Sequence, residues 1–220
     1  MTPRPRAARP RSCVPRSKLF GGAVQGVTLL APALLLAACG HSAPTRFYTL
    51  APDGPARPLG PVATADPVRV LAVRVPPELD RLEVVREAAA GAVQVDDFNR
   101  WGAPLGDLAR NALSADLADR LPGVQILPAR SNALDRTRDL TVEILSLQRQ
   151  ETGFELRAIV QVADAATGRT LNSQTVRLFV ASNQSDAAAE AKAFSSLLAK
   201  LADLISPRLA MPAAVAQKVN

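Results

Sequence analysis

The sequence predicts an α+β fold: a single domain in which an antiparallel, partly mixed sheet has two main amphipathic helices packed on it. Two patterns support this class. Several segments alternate apolar and polar residues, as strands with one buried face do. Two other segments repeat apolar residues at spacings of three and four, as helices do when one face rests on a sheet. No internal repeat is visible in the 220 residues.

The first predicted strand runs from Val68 to Val75, where valine alternates with other residues except at one step, and Pro76-Pro77 ends it. Leu82 to Arg86 and Ala92 to Val95 are shorter β-like pieces on either side of Ala88-Ala89-Ala90-Gly91, and they predict a hairpin. The remaining predicted strands are 124–127, 140–144, 154–162 and 170–180. The last three form a meander whose turns contain glycine.

The first predicted helix begins after Pro104 and ends before Pro122-Gly123. The second runs from Ser185 to Ile205 and is closed by Ser206-Pro207. Its apolar stripe would also suit a membrane surface, but such helices favour a basic polar face. This polar face carries acids as well as bases, including Glu190, so we predict that the helix packs on the meander.

The first 38 residues have the layout of a secretory signal peptide. A basic stretch ends at Lys18, and the strongest apolar run, from Val27 to Ala38, is broken only by Thr28. A helix over this run spans only about 18 Å, whereas the hydrocarbon core of a bilayer is about 30 Å thick. We therefore predict an export signal at 1–38 rather than a membrane-spanning anchor.

The apolar run ends in Leu36-Ala37-Ala38-Cys39-Gly40, which resembles the lipobox of bacterial lipoproteins. The resemblance implies that the Cys39 thiol is acylated, for example with palmitate, and that Cys39 becomes the mature N-terminus. Several acyl chains anchor a protein firmly in a membrane, whereas a single chain gives only marginal membrane binding. Enteric bacteria place Asp directly after the lipidated Cys to retain a lipoprotein in the inner membrane. Gly40 at this position therefore indicates the outer membrane by analogy. An ordinary signal peptide with an incidental Cys is the alternative, and a translation start at Val14 is a separate hypothesis.

Composition excludes several functions. The signal holds six of the 26 Lys and Arg residues and no acid, so 20 bases and 20 acids remain and the mature chain is formally neutral. Nucleic acid is therefore not an expected partner. The mature chain has no thiol besides Cys39, and its only histidine, His41, lies in the predicted tether. Catalytic triads lack a general base and zinc lacks ligands, so we expect no enzyme activity, metal or cofactor.

Asp96 and Asp97 are the one carboxylate pair that catalysis could use. Neighbours on a strand point to opposite faces, which is poor geometry for an acid and a base that share a substrate. We expect these residues to accept backbone hydrogen bonds instead, at the strand exit or at the approach to the helix.

Proline density sets the domain boundaries. Residues 39–67 are predicted to be a lipidated N-terminus and proline-rich tether, in which the segment 47–50 (FYTL) can return as an edge strand. The folded domain is predicted at 68–210 and a flexible tail at 211–220.

Beyond the lipid site, the chain has FYTL at 47–50, a V-x-V strand that continues into Pro77-Glu78-Leu79-Asp80-Arg81, the segment DDFNRWGAPL at 96–105, and a C-terminal helix. This order of motifs resembles the ABC-type transport auxiliary lipoproteins, typified by that of the paraquat-inducible (Pqi) membrane-integrity system. The resemblance covers nearly the whole mature chain. It departs at 88–91, where relatives often carry polar residues.

The resemblance implies a non-catalytic adaptor of an MCE-type, Pqi-like intermembrane system that transports lipid or other hydrophobic compounds and contributes to membrane integrity. The implied partners are a periplasmic MCE-domain protein, an inner-membrane permease and an ATPase. The chain would be lipid-anchored in the cell envelope, at the outer membrane facing the periplasm. The resemblance leaves open whether the chain forms a homo-oligomer. The alternative is a periplasmic lipid-binding lipoprotein that itself carries cargo; the missing histidine and thiol disfavour an envelope enzyme.

Phe98, Arg100 and Trp101 have two interpretations. The favoured one is structural, with Trp101 as a core plug and Arg100 as its covering salt-bridge partner. The other makes all three a docking patch for a partner, since Trp and Arg are enriched at interface hot spots.

Overall fold

The computed structural model describes residues 43–53, 65–87 and 92–211, which lie in one compact unit, Ala43–Asn220. The predicted signal peptide, Cys39, the centre of the proline-rich tether and the loop 88–91 lie outside the described residues. The elements in these ranges are β1 (Arg46–Tyr48), β2 (Val68–Arg74), β3 (Glu83–Glu87), β4 (Val93–Trp101), α1 (Leu105–Arg120), β5 (Ile126–Leu127), β6 (Arg138–Gln150), β7 (Gly153–Asp164), β8 (Thr170–Ala181) and α2 (Ala187–Leu209). The predicted α+β class is confirmed.

The larger sheet has the strand order β5-β2-β6-β7-β8. β2 runs parallel to β5 and β6, and the predicted antiparallel meander is formed by β6, β7 and β8. Parallel strands need a crossover connection, and α1 lies in the one between β2 and β5. Alternation buries one face of each strand, so that Val68 and Val70 of β2 and Leu140 and Val142 of β6 are almost fully inaccessible.

The smaller sheet has the order β1-β4-β3, and its β3–β4 half is the predicted hairpin. β4 is longer than predicted, since it continues past Val95 to Trp101. The added residues are held by β1, which pairs in parallel with residues 99–101. β1 lies at the sheet edge, and Leu50, which follows it, is buried in the core. The folded unit therefore includes residues well before Val68.

The two helices pack into the same core as the sheets. α1 buries one apolar face, including Leu105, Leu113 and Leu117, and ends before Pro122-Gly123 as predicted. α2 begins at an Asp186 cap, whose side chain accepts the backbone N–H of Ala189 (2.7 Å). The described residues contain no helix that is both long enough and apolar enough to span a bilayer.

The end of α2 corrects the prediction that Ser206-Pro207 closes the last helix, because the helix continues through Pro207 to Leu209. Proline removes one helical hydrogen bond, but Leu209 is 1% exposed and gains burial in the core. The last carbonyls of a helix lack intrahelical partners. Here the Arg138 guanidinium donates to the carbonyl oxygens of Leu209 (2.5 Å) and Met211 (2.9 Å).

Candidate functional site

The predicted docking segment is divided between the two sides of β4. Trp101, the last residue of the strand, is 3% exposed and belongs to the hydrophobic core. Its backbone N–H donates to the carbonyl oxygen of Leu82 (2.6 Å), and the N–H of Gly102 donates to that of Tyr48 (2.7 Å). These bonds fix the strand end on both sides. The indole ring therefore fills the core and is not available to a partner in the folded protein.

Phe98 and Arg100 lie on the opposite side of β4, together with Phe47 of β1 and Glu83 of β3. The register pairs Phe47 with Arg100 and Arg100 with Glu83, and paired residues share a face of a sheet. Phe47 is 68% exposed and Phe98 is 49% exposed. We call these four residues the outer face. Arg100 points away from Trp101 and so does not cover it.

Glu83 is shared by two arginines on this side of the sheet. Its Oε1 lies 3.4 Å from Nη2 of Arg100, and its Oε2 lies 3.6 Å from Nε of Arg81. The backbone N–H of Glu83 lowers the pKa of its own carboxyl, and the two guanidinium groups lower that pKa further. The carboxylate is thus ionised at neutral pH, and the three side chains together carry a net positive charge.

Asp96 stabilises a wide bulge in β4. The register with β3 jumps from residue 96 to residue 100, which leaves the residues between them without a partner on that strand. Oδ1 of Asp96 accepts the backbone N–H of Phe98 (3.2 Å), and Oδ2 accepts the side-chain amide of Asn99 (2.8 Å). The sequence predicted hydrogen bonding of this kind at a strand exit, but Asp96 lies inside β4. Its role is to shape the segment that presents Phe98.

A cleft separates β3 from the far half of β6. Two adjoining hollows of about 340 and 260 Å³ form it, and Val85 and Leu147 line both. In the described ranges, β6 has no strand partner on its β2 side beyond Glu143, and β3 has none on the side away from β4. Two strand edges therefore border the cleft. Leu145, which a register shift leaves unpaired with β7, is 43% exposed and lines the larger hollow.

One end of the cleft is lined by Arg86 and Glu190, which belong to a partly buried charge cluster. Glu190 of α2 is 8% exposed, and its Oε2 accepts a hydrogen bond from Nε of Arg86 on β3 (3.2 Å). Nη2 of Arg86 lies 3.6 Å from Oδ2 of Asp96 on β4. Burial raises the pKa of Glu190 to about 7, against the opposing effect of Arg86. The cluster thus joins α2 to the smaller sheet through a carboxyl that titrates near neutral pH.

The placement of Glu190 corrects the prediction that it lies on the polar face of the last helix. Glu190 precedes Phe194 by four positions and Leu197 by seven, which puts all three on one helical face. Both Phe194 and Leu197 are buried. The helical spacing was therefore a usable signal, but it does not reveal that Arg86 arrives from a distant strand to pair with the carboxylate.

These surfaces offer contacts rather than a reaction centre. The cleft combines apolar side chains and strand edges with a charged end, and the outer face combines aromatic and basic groups. Over the part of the chain that the structure describes, no three His, Cys, Asp or Glu side chains are grouped as a metal ion would need.

Comparison with known proteins covers most of the folded unit. Residues 48–206 match the model of a family described as ABC-type transport auxiliary lipoprotein component. The chain is similar to a solved protein from Xanthomonas campestris, with a TM-score of 0.61 and 18% identity over 80% of this chain and 100% of that one. It is also similar to a solved uncharacterized protein, with a TM-score of 0.60 and 17% identity over 76% and 99%. These two likenesses show the fold alone. No curated protein matches.

Proposed function

The chain belongs to the family of ABC-type transport auxiliary lipoprotein components, and from this premise we propose that it is a non-catalytic adaptor of an MCE-type intermembrane transport system. It tethers or receives a periplasmic MCE-domain protein, which works with an inner-membrane permease and an ATPase on lipid or other hydrophobic cargo. The observation that carries the proposal is the family match itself, which begins within β1 and ends within α2.

The adaptor is held at the membrane by its N-terminus in this proposal. Residues 1–38 direct export, and Cys39 carries palmitate and the other acyl chains. Gly40 favours the outer membrane, with the folded unit facing the periplasm, where it contributes to membrane integrity. A formally neutral mature chain supports a docking role, since it has no strong charge that would draw it to nucleic acid.

We assign the contact with the MCE-domain protein to the cleft between β3 and β6. Strand edges that lack a neighbour can accept a strand from another protein, because its main-chain groups complete the hydrogen bonding. Alternate side chains of the added strand then provide specificity. Leu145, Leu147 and Val85 supply an apolar lining for them, and Arg86 and Glu190 supply a charged end.

Affinity purification of the full-length lipidated protein from membranes tests the adaptor role. We expect an MCE-domain protein, a permease and an ATPase to be recovered with it. Leu145→Asp should reduce this recovery several-fold, because a carboxylate in an apolar contact has no partner there. Leu134→Asp is the matched control, since Leu134 is 46% exposed and does not line the cleft. Recovery of no transport component with the unaltered protein would contradict the proposal.

A lipoprotein that itself carries lipid is the competing function. Sites for drug-sized ligands bury most of the ligand surface, whereas the two hollows of the cleft, about 340 and 260 Å³, are bordered by exposed side chains such as Leu145. Fully buried side chains, including Phe194, Leu198 and Leu113, fill the space between the helices and the sheets. Native mass spectrometry should therefore find the protein without co-purified lipid beyond its own acyl chains; a stoichiometric extra lipid would favour the carrier.

A further inference from the structure

The outer face of the smaller sheet exposes aromatic and charged side chains that the proposed adaptor contact does not use. Phe47 has the largest exposed fraction, 68%, among the large apolar side chains of the described residues, and Phe98 is 49% exposed. The helices pack against the other side of the sheet, where Trp101 is buried. Phe47 pairs with Arg100, which follows Phe98 by two positions, and exposed apolar side chains on one face of a sheet indicate a contact surface.

The position of this face in the chain limits what can cover it. Arg46, the first residue of β1, follows the proposed lipid site Cys39 by seven positions. A fully extended chain of that length reaches at most about 25 Å. β1 cannot leave the fold to extend this reach, because it pairs with β4 and is followed by the buried Leu50. The part of the predicted tether between Cys39 and Arg46 therefore keeps the folded unit close to the membrane.

The charge of the outer face is complementary to phosphate. Arg81 and Arg100 share the single carboxylate of Glu83, which leaves one positive charge unbalanced. Each guanidinium has further donors, and arginine binds phosphate oxygens in a bidentate manner. Aromatic side chains flanked by arginine are typical of surfaces that lie in the interfacial region of a bilayer.

We propose that the outer face lies on the phospholipid surface that carries the anchor, with Phe47 and Phe98 inserted below the headgroups and the arginines at the phosphates. This inference rests on the proposed acylation of Cys39. The acyl chains and the outer face are two linked contacts, so the second forms at high effective concentration. Together they fix the orientation of the folded unit on the membrane, which a flexible anchor alone does not.

Single-site fluorescence labelling tests the contact in the lipidated protein. The mature chain has no thiol besides Cys39, which is acylated in this proposal, so a cysteine introduced by Phe98→Cys is labelled uniquely with nitrobenzoxadiazole. Leu134→Cys is the matched control, because Leu134 is 46% exposed and lies in the loop before β6. Each variant is reconstituted into vesicles of phosphatidylethanolamine and phosphatidylglycerol that contain doxyl-labelled lipid.

We expect doxyl lipid to quench the label at position 98 several-fold more than the label at position 134. Adding Phe47→Asp, or omitting phosphatidylglycerol, should reduce the quenching at 98. Equal quenching at the two positions in vesicle-bound protein overturns the contact but leaves the anchor intact. Protein that does not associate with vesicles lacks the anchor, and both proposals then fail. The label at position 98 could instead be shielded from water only when the protein self-associates or only when the MCE-domain protein is bound. Either result makes the outer face a protein contact and overturns the inference.

Discussion

Replacing Trp101 with alanine should destabilise the folded unit by about 3–5 kcal/mol, the usual cost of removing a large aromatic ring from a core. The ring is 3% exposed, and its strand is held between β3 and β1, so the surroundings have little freedom to close the cavity. Domains typically have about 5–15 kcal/mol of stability. The variant should therefore still fold, with a midpoint of thermal unfolding lowered by about 6–20 °C.

Thermal unfolding followed by circular dichroism measures this shift, with Phe98→Ala as the matched control. Phe98 lies on the same strand but is 49% exposed, so its truncation should cost less than about 1 kcal/mol. The reasoning is refuted if Trp101→Ala unfolds at the temperature of the unaltered protein and yet loses transport partners. That result would mean that the indole ring belongs to a docking surface.

Two further predictions concern buried charges. The pKa of Glu190 is about 7 in the folded protein, above the value of about 4.3 for an unfolded glutamate, so its contribution to stability is lost as pH rises through this window. The urea midpoint of the unaltered protein should fall between about pH 4 and 7, and Glu190→Gln should reduce this fall. A smaller fall should remain because burial raises the pKa of Asp116 to about 6. If Glu190→Gln leaves the pH profile of the urea midpoint unchanged, Glu190 does not have this role. Arg138→Leu should cost about 1–3 kcal/mol in urea unfolding, because the helix-end carbonyl of Leu209 loses its guanidinium donor, whereas Asp66 keeps its 2.6 Å ion pair with Arg136; an unchanged urea midpoint would contradict it.

Much of the fold could be predicted because its signals are local. The meander follows from alternation within β6, β7 and β8, and α1 is delimited by Pro104 and by Pro122-Gly123, which lie at its own ends. Each of these features depends on residues within one element. The family resemblance was likewise carried by short motifs, and the match over 48–206 confirms it.

The features that were missed depend on residues far apart in the chain. β4 continues past Val95 because β1, about fifty residues upstream, pairs with its end, and α2 passes Pro207 because Arg138 binds the carbonyls beyond it. The division into two sheets and the cleft between them follow from these distant pairings. By contrast, the placement of Arg100 on the side of β4 away from Trp101 follows from strand alternation alone once β4 is known to include both.

Acylation of Cys39 is the step on which both the adaptor role and the membrane contact depend. Metabolic labelling with radioactive palmitate, followed by immunoprecipitation, tests it directly. The unaltered protein should incorporate label, and Cys39→Ser should incorporate none. An unlabelled native protein, or a Cys39→Ser variant labelled as strongly as the native one, would contradict the proposed anchor.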